Sequence, residues 1–282
     1  MEFGSKLNVN IPIETSQAAH QIYNSRNYYL RIGDSLASIA NQINLSLFDS
    51  TSILDQDTTF RHALVSTFQY AELLPDSLAS SASLKRLDWK YALYLPVKHP
   101  GIHKNSLCYF RQGLYSSSEA LKEFGNLLQI IAEFGLYDNL KNRSLEPGEM
   151  ISILCLINRI FRLQEAMKAG LSLISSLEPD WLAGHISPHW FNRYKTGPFI
   201  SVDYFNPADL QTYADRIGND IFSLISLIQE KDSPVLATRP EIQSLMHLFQ
   251  NQFDQNGEII IWKNHGCVNC ESNDLKVEGG QL

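Results

Sequence analysis

No apolar run in the 282-residue sequence is long enough to cross a bilayer. No charged start leads into an apolar stretch of the kind that directs secretion. Both absences point to a soluble, cytoplasmic protein with no membrane partner. Cysteine is scarce: four in the whole chain do not make a disulfide framework. A Gly-rich phosphate loop, a Gly-x-Ser-x-Gly elbow and a His-Glu-x-x-His helix are all missing. These absences remove the nucleotide-loop, hydrolase-elbow and zinc-protease readings, and no cofactor is implied. Strand-forming sequence is nearly absent, with one β-prone run at 258–262. Positive charge is also short. The net charge is −7 and the pI about 5.6, so any nucleic-acid role must rest on a local patch.

Such a patch is present. Residues 85–111 hold Lys85, Arg86, Lys90, Lys98, Lys104 and Arg111 against one acid, Asp88, a local charge of +5 that leaves −12 on the rest of the chain. Charge separated in this way suits one face that meets an anion while the remainder stays solvated. The surrounding stretch, 61–114, reads as short helices broken by turns. Tyr109, Phe110 and Arg111 interleave aromatics with charge, as phosphate-contacting surfaces do, although Trp89 and Phe110 are expected in the core.

Apolar residues recur at helical spacing through most of the chain. After a cloning-site leader, Met1-Glu2-Phe3-Gly4-Ser5, polar residues to about 26 predict an irregular arm. A helix is expected from Tyr28 through Leu36, Ile39, Ala40, Ile43 and Leu47, with Asp34 a candidate cap. Residues 57–73 (Phe60, Leu64, Phe68) and 78–87 predict a helix-turn-helix outline around Leu74-Pro75, with Asp76 or Ser77 as cap. The second of these helices carries Ala79, Ser80, Ser81, Ala82 and Ser83 where a base-reading helix would carry Arg, Gln or Asn. Residues 88–93 predict a short amphipathic helix, and Ser106 a cap for 107–114. Further helices are expected over 119–136, 150–177, 208–228 and 241–253. An aromatic connector holds Trp181 and Trp190, Pro234 and Pro240 bracket a linker, and 271–282 form a tail. The fold expected is all-α and multi-helical, with a helix-turn-helix-like N-terminal region and at most one or two short strands near the C-terminus. Its divisions are 1–27 (arm), 28–140 (DNA-binding region), 141–235 (helical insertion) and 236–282 (last helix and tail).

One cluster suggests a metal. His265, Cys267 and Cys270 form a single Cys-x-x-Cys with a neighbouring His, short of the four ligands of a tetrahedral zinc site even with His247 as an outside candidate. The expectation is no metal site, with Cys108 and Cys155 as buried thiols in helical patterns.

Several segments, in order, carry a family resemblance. They include Tyr28-Tyr29-Leu30-Arg31, Gly33-Asp34-Ser35-Leu36, Gln69-Tyr70-Ala71-Glu72 and Asp88-Trp89-Lys90-Tyr91-Ala92-Leu93. Pro100-Gly101, Phe110-Arg111, Ile157-Asn158-Arg159, Trp190-Phe191-Asn192-Arg193-Tyr194 and Ile217-Gly218-Asn219-Asp220 follow. Across residues 28–262 the chain resembles bacterial insertion-sequence transposases of the DDE type. The resemblance implies a helical region that holds double-stranded DNA. It also implies an RNase H-like domain whose three acids bind two divalent metals, the clamp that in-line displacement at a phosphodiester requires. Two departures follow. Glu146 stands where the family's first metal-binding Asp is expected, one methylene longer and followed by Pro147-Gly148, and the sequence ends where further catalytic strands are expected. The function expected is therefore a truncated or co-opted transposase that binds DNA without cutting it, alone, as a homo-oligomer or with a full-length transposase. The alternative is a helical protein-interaction module that has lost DNA binding.

Overall fold

The computed structural model describes residues 9–39, 55–133, 146–195, 203, 205–231, 234–257 and 259–263. The leader, the helical pattern beyond Ile39, the end of the 119–136 helix, His265, Cys267, Cys270 and the tail lie outside the described residues. Thirteen helices and one two-stranded hairpin make up the described chain, an all-α fold. No described helix is long and apolar enough to cross a membrane. The described residues fall into two compact units, 9–155 and 156–263.

The first unit begins with a helix where an irregular arm was expected: α1, Ile13–Ile22. Its buried residues are Thr15 and Ala19, both fully enclosed. Four residues apart, they share one side of a helix. Thr15 Oγ1 donates to the Leu95 carbonyl at 2.8 Å, and Ala19 packs with Leu30 and Tyr91. In α2, Tyr28–Ile39, Asn27 is the cap, its Oδ1 accepting from the N–H groups of Tyr29 (2.9 Å) and Leu30 (3.2 Å). Asp34 does not cap. It lies within α2 and accepts the Tyr91 hydroxyl at 2.6 Å.

Helix α3, Gln56–Glu72, starts on Asp55, whose carboxylate accepts from Thr58 N and Oγ1 at 2.9 and 2.8 Å. It stops at Leu73 in the left-handed region, φ 55°. Helix α4, Asp76–Lys85, has no side-chain cap, because Pro75 holds the N-cap position; Asp76, the first helical residue, accepts from Gln69 (2.8 Å) and Arg111 (2.6 Å). Its small residues have a packing role: Ala79, Ala82 and Ser83 are buried where α4 meets α3, α5 and the helix after it. Helix α5, Leu87–Ala92, is not amphipathic. From Asp88 to Leu95 no residue is more than 4 % exposed, and α5 is packed by α1, α2 and α4. A helix enclosed on all sides is a core element. Gly33 permits this, since a Cβ there would lie 2.7 Å from the Tyr91 ring. Helix α6, Lys104–Tyr115, is capped by His103 rather than Ser106. Helix α7, Ser118–Ala132, is capped by Ser117 and buries Phe124, Leu127, Leu128 and Ile131. Trp89 and Phe110 are in the core, as expected.

Helix α8, Pro147–Leu177, starts in the first unit and runs on into the second. There the aromatic connector is helical, as α9 (Pro179–His185) and α10 (Pro188–Lys195). α11 (Pro207–Glu230), α12 (Pro234–Ala237, inside the expected linker) and α13 (Pro240–Gln252) follow. All six helices from α8 on open with proline, whose fixed φ suits the first helical turn and whose missing N–H costs nothing there. Strands β1, Phe253–Asn256, and β2, Ile259–Trp262, pair antiparallel around Gly257 at φ 64°. The hairpin sits on α11 at Gly218, where a Cβ would fall 2.4 Å from the Phe253 ring. Asp215 Oδ1 accepts the Trp262 N–H at 2.7 Å, and Gln211 Nε2 donates to the Trp262 carbonyl at 3.2 Å. Asp220 accepts from Arg193 and from the Tyr194 hydroxyl, joining α10 to α11. The last helix and the hairpin thus belong with 156–231 in one unit. Cys155 is buried but disulfide-bonded, not the thiol that its helical pattern suggested.

Candidate nucleic-acid interface

The six cations of residues 85–111 divide into two groups of three. Arg86 is tied into the protein. Its Nε and Nη2 donate to the two oxygens of Asp88 at 3.1 and 2.8 Å, and Nη1 donates to both oxygens of Glu72 at 2.8 and 2.6 Å. The guanidinium lies 5.1 Å from the Tyr29 ring centre and 5.2 Å from that of Trp89. Glu72 also accepts from the Tyr29 hydroxyl and, at 3.3 Å, from Trp89 Nε1. Burial works against the Arg86 charge, but Asp88 and Glu72 outweigh it and raise its pKa. Burial, and then Glu72, hold the Tyr29 phenol well above its usual value. This charge is spent on joining α2, α3 and α5.

Lys90 and Arg111 are not on the surface either, being 3 % and 1 % exposed. Lys90 Nζ donates to the carbonyls of Val97 and His99, and burial lowers its pKa. Arg111 Nη2 donates to Asp76 at 2.6 Å, joining α6 to the start of α4. A cation enclosed with its acceptors cannot reach a phosphate without abandoning them. Arg86, Lys90 and Arg111 are therefore removed from the expected contact set.

Lys85, Lys98 and Lys104 are exposed, and the fold gathers them. α4 and α6 pack antiparallel: Asp76, at the start of α4, meets Arg111 late in α6, while the end of α4 meets the chain just before α6. There Ile102 N donates to Ser83 Oγ at 2.8 Å. Gly101 lies so close that a Cβ would sit 2.9 Å from Leu84 N. Lys85 follows Leu84 directly. Lys98 and Lys104 lie three residues either side of Gly101, within about 11 Å along the chain. Asp88, the only acid of the segment, is buried and bound to Arg86. Three exposed lysines thus lie near one end of the α4–α6 pair without a carboxylate from their own segment. His99, beside Lys98, has its pKa lowered by burial first, then by Arg61 and the buried Lys90. Gly101, at φ +83°, is the residue whose part the sequence reading passed over. The Pro100-Gly101 pair signalled a turn, but not its seat on α4.

Base reading has no support from α4. Its exposed large residues are Leu78, Leu84 and Lys85, and neither Leu presents a hydrogen-bonding group to a base edge. Glu146, at the position of the expected metal-binding acid, has a local role. Its Oε2 accepts from Glu149 N at 2.7 Å, an N-cap for α8. Among the described residues no three His, Cys, Asp or Glu side chains are grouped to hold a metal ion. No protein-family model matches the chain, and no curated protein or solved structure matches it.

Proposed function

We propose that the first unit binds double-stranded DNA through its phosphates, with Lys85, Lys98 and Lys104 as the contacts. The observation that carries this reading is the gathering of three exposed lysines at one end of α4 and α6, with the acid of their segment turned inward. Ammonium groups on long stems neutralise phosphates as point charges and do not depend on base identity. The resemblance to transposases supports DNA as the polyanion. Within that resemblance the chain is a binding protein rather than a nuclease, because the Glu146 carboxylate is engaged as the cap at the start of α8.

The test is fluorescence anisotropy with random duplex DNA across a salt series. Three phosphate contacts correspond to a slope of about −2.7 in log K against log salt. Replacing all three lysines with Glu is expected to abolish binding. Absence of binding at low salt, or a triple variant that binds like the wild type, overturns the reading.

A second reading, a helical protein-interaction module, is favoured by one observation. Ile259 and Ile261 are 61 % and 49 % exposed on the same face of β2. The partner would be a second copy or a full-length transposase. Light scattering of the wild type and of Ile259→Thr/Ile261→Thr tests it: an oligomer lost in the variant supports the module, and a monomer in both rejects self-association.

A further inference from the structure

We infer that Lys90, buried and unable to touch DNA, is a positioning residue that sets Lys98 in place for phosphate contact. The inference rests on the DNA-binding reading above. Residues Pro96 to His99 form a turn closed by His99 N donating to the Pro96 carbonyl at 3.0 Å, with Lys98 exposed at its tip. The two carbonyls on either side of Lys98, those of Val97 and His99, both point inward to the Lys90 ammonium. The base of the turn is fixed by Leu95 N donating to the Lys90 carbonyl at 2.9 Å, so Lys90 holds the loop from main chain and side chain together. Beyond it, Gly101 N donates to His99 Nδ1 (3.1 Å) and Ile102 N to Ser83 Oγ (2.8 Å). One buried charge therefore orders the segment between α5 and α6, and Lys98 is the side chain that this segment presents to solvent. Without the ammonium, two inward carbonyls lose their donor and the turn opens toward water. Lys98 is then no longer held where it meets a phosphate, and that contact is lost from the complex.

The test is the salt slope of duplex binding in wild type, Lys98→Gln, Lys90→Met and the double variant. Loss of Lys98 is expected to reduce the slope by about 0.9, one phosphate contact. Lys90→Met is expected to produce a loss of similar size with Lys98 intact, and no further loss in the Lys98→Gln background. A general effect of the buried charge, or of lost stability, would appear equally in both backgrounds. An unchanged slope in Lys90→Met, or a loss that adds in full to that of Lys98→Gln, overturns the inference. If Lys90→Met does not fold by circular dichroism, Gly101→Ala replaces it. At φ +83°, with Leu84 N 2.9 Å from the new Cβ, that substitution displaces the same loop while Lys90 remains. Its expected result is the same loss of slope, and a full wild-type slope overturns the proposal. Wild-type protein that does not bind DNA defeats the functional reading and this role together. Binding by the wild type with Lys90→Met unchanged defeats only the role.

Discussion

Two arginines, one in each unit, lie against tryptophan rings and tie together segments distant in sequence. Arg86 sits 5.2 Å from the Trp89 ring centre and Arg159 sits 4.1 Å from that of Trp262. Their described partners differ. Arg86 is held by the carboxylates of Glu72 and Asp88. Arg159 donates to the Gln252 side-chain carbonyl at 2.8 Å and to the Lys263 main-chain carbonyl at 2.7 Å. Similar stacking thus serves a charge-paired knot in one unit and a mostly neutral latch in the other. Removing either arginine costs its stacking and its hydrogen bonds. Among the described contacts, removal of Arg86 also leaves two acids behind, one of them 4 % exposed. A cation's energetic weight is thus set less by its own contacts than by what it leaves unpaired.

The largest expected effect follows directly. Arg86→Met strands Asp88 and Glu72 and should destabilise the first unit by about 3 kcal/mol, the low end for a broken buried pair because Arg86 is partly exposed. Urea unfolding measures the loss, and amide exchange in α5 against β2 assigns it to the first unit. Arg159→Met should cost less, about 1–2 kcal/mol, from one cation–π contact and hydrogen bonds to neutral acceptors. Its effect should appear in exchange at β2 and α13. Equal losses at the two arginines would erase the distinction.

A smaller effect comes with pH. Burial holds the His62 imidazole below its ordinary value, between Thr58 O (2.6 Å) and Ser106 Oγ (2.8 Å). As pH falls below about 6.5 the unfolded chain takes up a proton that the folded protein resists. The unfolded state then binds more protons, so stability declines from neutral toward acid. His99 acts in the same direction. Both lie in the first unit, so acidification should loosen α3 and α6 before the hairpin. His62→Gln should flatten the pH dependence of the melting temperature.

Much of the helical frame was legible because apolar spacing alone specifies it: Phe124, Leu128 and Ile131 in α7, and Ile153, Ile157, Ile160 and Met167 in α8, are buried as their period requires. Where the pattern was thin, the reading failed. α1 buries only Thr15 and Ala19, and Thr15 finds its acceptor 80 residues away at Leu95. Pro234 and Pro240, read as the brackets of a linker, each open a helix, a signal that was present but given the wrong sign. β1 is not β-prone; Phe253-Asp254-Gln255-Asn256 becomes a strand because Gly257 returns Ile259 to Trp262 beside it. The candidate site was half legible. Lys90 and Lys85 look alike in a sequence, and only the fold places two carbonyls in front of one and water in front of the other. The segments that carry the transposase resemblance touch one another inside the protein: Tyr29 with Glu72, Gly33 with Tyr91, Trp89 with Glu72, Arg193 with Asp220. They describe how the chain is held together more than what it holds.

The hairpin's attachment to α11 has a consequence for how molecules of this protein meet at high concentration. Three isoleucines and a tryptophan in a row make a strand that other strands readily extend, and a two-stranded sheet offers its edges freely. At Trp262 the edge N–H and C=O are already occupied, by Asp215 and Gln211. A carboxylate and an amide from the supporting helix thus act as a stopper on sheet growth. Asp215→Ala would uncover that edge, and the consequence to look for is fibrillar aggregation on storage rather than loss of fold.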